Sequence, residues 1–318
     1  MENKKEKRSI LRLVDAWWKL LLLVGLLLIA VLFVTNSSIP GSRVEGCGNG
    51  CATATGRPEE ALRVVSLNML HGFPLFKHLS ERIDLIAAEI QRLDADVVLL
   101  QEVPWTIRTG NVAKLLGQRL GYNYLYIRAD GNKNLIFFEQ GEAILSRYDL
   151  TDPRFMAYTS RASYFDRRVA LGATAVTPWG NLGLVVTHLT SESLNVAELQ
   201  AKQLQDFVEA QANVVTLVTG DFNSPENSPQ ILKLAQVWQD TYRAIHPNEP
   251  GYTCCIDDLQ AQPAKPVNER IDYIFLAHQR DDSWKVTTAE KVFDHAFAVN
   301  NGWQWASDHE GLMVELQP

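Results

Sequence analysis

Cysteine is scarce in this chain, with four in 318 residues: Cys47 and Cys51 in GCGNGC, and the adjacent Cys254 and Cys255 in GYTCCIDD. No histidine or further cysteine stands near the first pair at ligand spacing, which argues against a zinc site and leaves a small disulfide loop or two idle thiols. Adjacent cysteines pair with each other only under strain, so Cys254 and Cys255 are expected to bond elsewhere or to stay free. Positive charge is also short, at 30 Lys and Arg against 37 Asp and Glu. Residues 1–19 hold six of those cations and only three acids, so the remainder is more acidic than the whole. Such a body disfavours broad, sequence-blind binding to nucleic acid, although a local basic cleft stays compatible with it. Internal repeats are absent.

Long apolar runs are missing too, with one exception. Leu20–Val34, LLLLVGLLLIAVLFV, has fifteen residues without a charge. With Lys19 snorkelling beside Trp17 and Trp18, residues 16–35 give about twenty residues, enough to cross the hydrocarbon. No Ala-x-Ala site comes after it, so an uncleaved anchor is the leading expectation and a signal peptide, with secretion after cleavage, the alternative. Basic residues before the span keep a head of residues 1–15 in the cytoplasm and send the chain beyond the span across the membrane. Residues 36–60, rich in Ser, Gly and Thr, read as a flexible linker, and residues 61–318 as the folded domain.

Within that domain short β-branched runs alternate with amphipathic segments. LRVVSLNML, ADVVLLQEV, LGATAVT, LGLVVTHL, VVTLVTGDFN, RIDYIFLA and EGLMVELQ read as strands, several of them apolar on both faces. Helices are expected over Ser80–Leu93 behind a Ser80 cap, over Asn195–Ala212 with Val196, Leu199, Gln203, Phe207 and Ala210 on one side, and from Pro229 to Trp238. The pattern predicts one α/β domain of two packed sheets with helices outside.

Polar residues fall at the strand ends. Val64–Leu67 runs into Asn68, Val97–Leu100 into Glu102, Leu184–Thr187 into His188, and Val214–Thr219 into Asp221 and Asn223, while Asp272 and the pair Asp308 and His309 open two later strands. If the later strands run antiparallel to the earlier ones, all eight gather at one sheet edge. Singly, an Asp or Asn after a strand is most often a turn or cap residue, and a lone His an ordinary surface or core residue. Six strand edges bearing compatible chemistry together are hard to produce by solvation alone. Glu102, Asp308 and the Asn68 amide are hard oxygen donors that suit Mg²⁺ or Mn²⁺. His309 paired with Asp272 can act as general base on water, while Asn223 and a protonated His188 stabilise charge at phosphorus.

The ordered series SLNML, LLQEV, EAILSR, THL, GDFN, RIDYIF and SDH, spread over Arg63 to Leu316, resembles the motifs of the endonuclease/exonuclease/phosphatase superfamily, the DNase I-like fold. The resemblance implies a four-layer sandwich of two mixed β-sheets flanked by helices, and phosphoester hydrolysis with a divalent metal, usually Mg²⁺. It implies Glu102 as principal metal ligand with Asn68 and Asp308 assisting, and His309 as catalytic histidine held by Asp272. It further implies that Asp221 and Asn223 orient the nucleophile or leaving group and hold the phosphate, that His188 is a phosphate-contacting or acid residue, and that either His309 or Asp221 takes the proton of the attacking water. Glu142 matches a framework motif, with orientation of His188 as its functional alternative. Arg168, with Arg167 beside it, is a candidate phosphate contact on account of its bidentate guanidinium. Trp303 and Trp305 suit a bilayer surface, a stacked ring or plain loop packing.

The expected function is therefore a membrane-tethered, extracytoplasmic, Mg²⁺-dependent phosphodiesterase or phosphatase acting on a lipid headgroup or small phosphoester. A secreted or tethered nuclease and a catalytically silent binding module are the alternatives. Oligomeric state is not legible.

Overall fold

The computed structural model describes residues 2–56, 61–210, 214–278, 284–300 and 302–317. The chain begins with helix α1 (Glu2–Ser37), of which Asp15–Ser37 is long and apolar enough to cross a membrane, with a mean hydropathy of 2.6. Its leucines from Leu20 to Leu32 stand exposed among the described residues.

Two sheets make up the body. The first takes β1 (Glu45–Cys47), β2 (Leu62–Asn68), β3 (Val97–Thr106), β4 (Gly110–Asn111), β5 (Asn123–Gly131) and β6 (Phe138–Ser146). The second takes β7 (Asp149–Ala157), β8 (Val169–Thr177), β9 (Gly180–His188), β10 (Thr216–Asp221), β11 (Gln239–Asp240) and β12 (Asp272–Ala277). The chain then returns to the first sheet with β13 (Lys285–Val292), makes the small hairpin β14 (Phe297–Val299) and β15 (Gly302–Gln304), and ends in β16 (Gly311–Gln317). The strand orders are β1-β5-β6-β3-β2-β16-β13, with β4 on β3, and β11-β12-β10-β9-β8-β7.

Each sheet contains one parallel pair, β2 with β3 and β9 with β10. A parallel pair needs a crossover, supplied by α2 (Leu79–Leu93) in the first case and α4 (Leu194–Glu209) in the second. The helices α3 (Val112–Leu120), α5 (Pro229–Ala235) and α6 (Thr241–Ile245) complete the set. Strands β2 and β3 are buried on both faces because Val64 and Leu99 point toward the second sheet while Val65 and Leu100 pack under α2 and α3. A third cluster, with Val185, Val218 and Phe275, lies between the second sheet and α4 and α5. Helix, sheet, sheet and helix therefore form four layers, the DNase I-like arrangement expected from the sequence. Truncating a residue such as Leu99, which has no exposed surface, would cost about 2–5 kcal/mol.

Several local expectations change. Ser80 does not cap α2: the helix starts one residue earlier, and the chain enters it through left-handed His78, φ 55°. In α4, Ser193 is the cap, and the buried residues are Ala197, Gln200, Ala201, Leu204 and Val208, leaving Leu199 exposed. Two alanines let this helix approach the sheet closely, and Gln200 is used rather than excluded: its amide takes Thr190 N and donates to Ser160 O. Residues 211–212 of the expected helix lie outside the described residues. Helix α5 ends at Ala235 because Trp238 turns back into the core beside Phe275.

Residues 38–54, expected within the flexible linker, lie along the outer edge of the first sheet. There β1 pairs antiparallel with β5, and Thr53 and Ala54 both donate to Gly121 O. An edge strand with open N–H and C=O groups offers a mate even to a segment without hydrophobic period. Residues 57–60 lie outside the described residues. Cys47 and Cys51 form a disulfide, and so do Cys254 and Cys255, against the expectation for the latter pair. Backbone hydrogen bonds from Cys254 to Glu269 and from Ile256 to Asp308 fix the 254–255 loop, and the other two cysteines belong to the distant β1 edge.

Candidate active site

Strand register builds the site. On β10, Asp221 stands opposite His188 of β9 on one side and Asp272 of β12 on the other. In the facing sheet Asn68 ends β2 opposite Gln101 of β3, with Glu102 next along the strand. Glu102 has φ 55° and falls where the β3–β6 register shifts. A bulge of this kind re-aims a side chain, here into the space between the sheets. Strands β12 and β16 run antiparallel to their neighbours, so Asp272, Asp308 and His309 reach the same edge.

The contacts are close. Asn68 Nδ2 is 3.0 Å from Asp221 Oδ2 and 3.4 Å from Glu102 Oε1. His188 Nε2 is 3.4 Å from Asp221 Oδ2 and 2.9 Å from Asn223 Nδ2. His309 Nδ1 meets Asp272 Oδ2 at 2.9 Å, leaving Nε2 3.7 Å from Asp221 Oδ2. Gly220, φ 149°, passes so close to β9 that a Cβ would lie 1.9 Å from Thr187 O, so only glycine fits. Phe222 then points the other way, fully buried against Tyr273 and Phe275.

Burial sets the electrostatics. It pushes the Asp221 carboxyl up, and the charge of Asp272 adds to the push. Burial also raises Asp308, helped by Glu102. Glu102 goes the other way: burial opposes ionisation, but the charge and backbone N–H of His71, with Arg168 and His309, bring it below the usual range. For His309 burial is outweighed by Asp272 and Asp221, which hold the imidazole well above its ordinary value. His188 is pulled well below by burial and by the charges of Arg168, His309 and His71. The imidazole is accordingly neutral, which corrects the expectation of a protonated His188.

Glu142 is buried and held well above the carboxylate range by burial, only partly countered by Arg168. No hydrogen bond joins it to His188; Glu142 Oε2 and His188 Nδ1 are both buried without a hydrogen-bond partner among the described residues, His188 Nδ1 standing 4.0 Å from Glu102 Oε1. Arg168 reaches the site through its charge while its Nε donates to Asp166 at 3.0 Å. Arg167 instead stacks over Tyr164. Trp305 is buried, donating to Ala261 O, whereas Trp303 is exposed.

Asp221, Asp272 and His309 bring ligand atoms within 4.8 Å of one another, and Glu102 and Asp308, whose carboxyl is raised in part by Glu102, are further hard oxygen donors of the kind that suits a divalent cation. Asn68 turns its amide nitrogen toward Glu102 and Asp221, and its oxygen accepts from Leu70 N at 3.1 Å. It therefore fits the donor set only with the amide turned over. Cys254, Cys255 and His309 also cluster, but the two sulfurs are bonded to each other and offer no thiolate.

Three supporting residues were not anticipated. His71 donates its backbone N–H to Glu102 Oε2 at 3.0 Å, Thr253 donates its hydroxyl to Asp272 Oδ2 at 2.6 Å, and buried Arg82 donates to the carbonyls of Met69, Leu70 and Ala306. Only His71 carried a signal, three residues beyond Asn68 in NMLH.

Solved structures share this fold. An endonuclease/exonuclease/phosphatase from Beutenbergia cavernae is 23% identical with TM-score 0.62, over 81% of this chain and 72% of that one. The mannosyl-6-phosphatase of Bacteroides thetaiotaomicron is 19% identical with TM-score 0.63, over 81% and 100%. D. rerio TDP2 complexed with single strand DNA product is 16% identical with TM-score 0.63, over 81% and 99%. At these identities the likeness speaks for the fold alone. No curated protein matches the chain. The family model Endonuclease/Exonuclease/phosphatase family matches residues 65–309, most of the chain and all eight residues of the cleft. This chain belongs to the Endonuclease/Exonuclease/phosphatase family.

Proposed function

We propose that the protein hydrolyses a phosphoester with the help of a divalent cation, Mg²⁺ or Mn²⁺, and that α1 anchors it in a membrane with the catalytic domain on the extracytoplasmic side. The observation that carries the reading is the convergence on Asp221, flanked by His188 and by the Asp272–His309 pair, with Glu102 facing it across Asn68. A cation held by Glu102, Asp308 and a turned Asn68 amide would supply positive charge to the phosphoryl oxygens. Asp272 fixes the His309 ring through Nδ1 and directs Nε2 at the space beside Asp221. A water molecule bridging Nε2 and Asp221 can pass its proton to the Asp221 carboxylate as it attacks phosphorus, with the His309 imidazolium beside it. Asn223 Nδ2, which donates to Leu189 O and His188 Nε2, reaches a phosphoryl oxygen when that oxygen replaces His188 Nε2 as its acceptor, and Arg168 adds charge at the rim.

The basic residues ahead of the span favour a cytoplasmic N-terminus. Neighbours on this fold include a mannosyl-6-phosphatase and a protein bound to single strand DNA product, so monoesters and diesters are both within its range. The net charge of −7 weighs against nucleic acid. The test is a panel: the full chain in detergent with Mg²⁺, assayed on sugar phosphates, inositol phosphates, phospholipids and plasmid DNA, with EDTA controls. Turnover of a non-nucleic phosphoester that EDTA abolishes is expected; cleavage of plasmid alone would contradict the reading.

A further inference from the structure

The end of the apolar helix is fastened to the rim of the cleft. Thr35 O accepts from the Tyr164 hydroxyl at 2.8 Å, and Asn36 O accepts from Asn132 Nδ2 at 2.7 Å. The Ser38 hydroxyl donates to the Asp130 carboxylate, and Gly41 N to Arg128 O at 2.7 Å, before β1 joins β5. Bonds at such short intervals leave little slack between the span and the domain.

The two loops so engaged belong to the site's own edge. The β5–β6 loop leads into Phe138, whose ring lies 5.1 Å from that of His71 beside Glu102 and stacks on Phe73 at 4.5 Å. The β7–β8 loop ends at Arg168, whose charge acts on Glu102, Glu142 and His188.

Along this rim large apolar side chains face outward. Leu75 is 70% exposed, Ile107 68%, Phe137 56% and Phe165 55%. The first three share a cavity of ≈ 750 Å³ with Phe73, Phe76 and Ile136. Residues 73–81, 106–109, 132–137 and 160–168, which take in the cavity's lining, together carry six Lys and Arg and two acids, Glu81 and Asp166, within a chain of net charge −7. Exposed aromatic and aliphatic side chains mixed with cations are the composition of a surface that lies in a lipid headgroup layer.

We propose that this rim is seated in the headgroup layer of the leaflet from which the span emerges, and that the substrate is a phosphoester borne by a lipid of that leaflet. The inference rests on the phosphoester hydrolysis proposed above and names its substrate class. The span stops where the rim begins, so the mouth of the cleft is held at the membrane surface and a lipid head enters it laterally. In the reaction a water oxygen forms the new bond to phosphorus and one P–O ester bond breaks. The proton lost by water ends on the departing alcohol.

The test uses the full chain in nanodiscs of phosphatidylethanolamine and phosphatidylglycerol. Native cysteines are paired, so Phe137→Cys, Phe165→Cys and, on the exposed side of α4, Leu199→Cys each take one spin label. Labels at 137 and 165 are expected to be open to oxygen and shielded from a nickel chelate, and the label at 199 the reverse; water-like access at all three would overturn the proposal. Hydrolysis is read on two p-nitrophenyl esters, a diacylglycero-p-nitrophenyl phosphate in the disc and aqueous bis-p-nitrophenyl phosphate. Leu75→Ser with Phe137→Ser and Phe165→Ser is expected to lower kcat/KM on the embedded ester at least about tenfold while leaving the aqueous ester unchanged. Equal rates on the embedded ester before and after substitution would overturn the substrate class. Loss of both hydrolyses in the unsubstituted protein, with the labels still shielded, would instead defeat the phosphoesterase reading.

Discussion

His309 Nδ1 and Asp272 Oδ2 are 2.9 Å apart, and the same carboxylate oxygen accepts the Thr253 hydroxyl at 2.6 Å. The imidazole is thus oriented by a carboxylate that is itself oriented. Thr253→Val is expected to lower kcat by about tenfold with KM little changed, and Asp272→Asn by about a hundredfold or more. Steady-state kinetics on a soluble diester measure both. A Thr253→Val effect confined to KM would place the hydroxyl at the substrate and not behind the histidine.

Metal binding is expected to show as stability. A ligand at a hundred times its Kd adds about 2.7 kcal/mol, which for a domain of this size is roughly 5–10 °C in Tm. Mg²⁺ should give a shift of this order in the unsubstituted protein and none in Glu102→Gln, followed by differential scanning fluorimetry with EDTA as reference. An equal shift in the variant would remove Glu102 from the ligand set.

Arg82 ties the loop after Asn68 to the loop before His309, through the carbonyls of Met69, Leu70 and Ala306. Arg82→Met leaves three carbonyls without this donor and is expected to cost about 3 kcal/mol or more. Urea denaturation reads this as a lower midpoint at unchanged slope.

His188 should not titrate near its ordinary value. Burial first, and then Arg168, His309 and His71, keep it neutral. In the native protein its imidazole nitrogen shifts should stay flat as pH falls through about 6.5, where the unfolded histidine gains a proton. Its contribution to stability is therefore full above that pH and is lost as pH drops toward the folded value. His309 has the opposite sign, since its folded value is raised: its contribution is full below about 6.5 and is lost as pH rises through the folded value. A His188 titration midpoint near 6.5 would contradict the neutral assignment.

The eight cleft residues stood out in the sequence because each adjoins an apolar run, as Gly220–Asp221 follows Val214–Thr219; Glu102, expected at the end of its strand, instead sits at a bulge within β3, which continues to Thr106. Register then brought them together. Arg82 was not legible, since in sequence it is one more basic residue on an amphipathic helix and only the fold turns it inward. Thr253 sits in a loop without pattern, and its partner Asp272 comes near only through tertiary pairing. The buried face of α4 was not legible either, because large apolar residues outweigh Ala197 and Ala201 in the pattern, and the value of those alanines lies in close helix approach. The β1 segment lacks periodicity altogether and is ordered by the free edge of β5.

The central claim is that Glu102 and His309 work in one hydrolytic centre. The direct measurement is Mg²⁺-dependent hydrolysis of bis-p-nitrophenyl phosphate by the full chain, by Glu102→Ala and by His309→Ala, with circular dichroism confirming that all three are folded. Turnover that disappears in both variants and in EDTA is the predicted result. Equal turnover by the three proteins would contradict it.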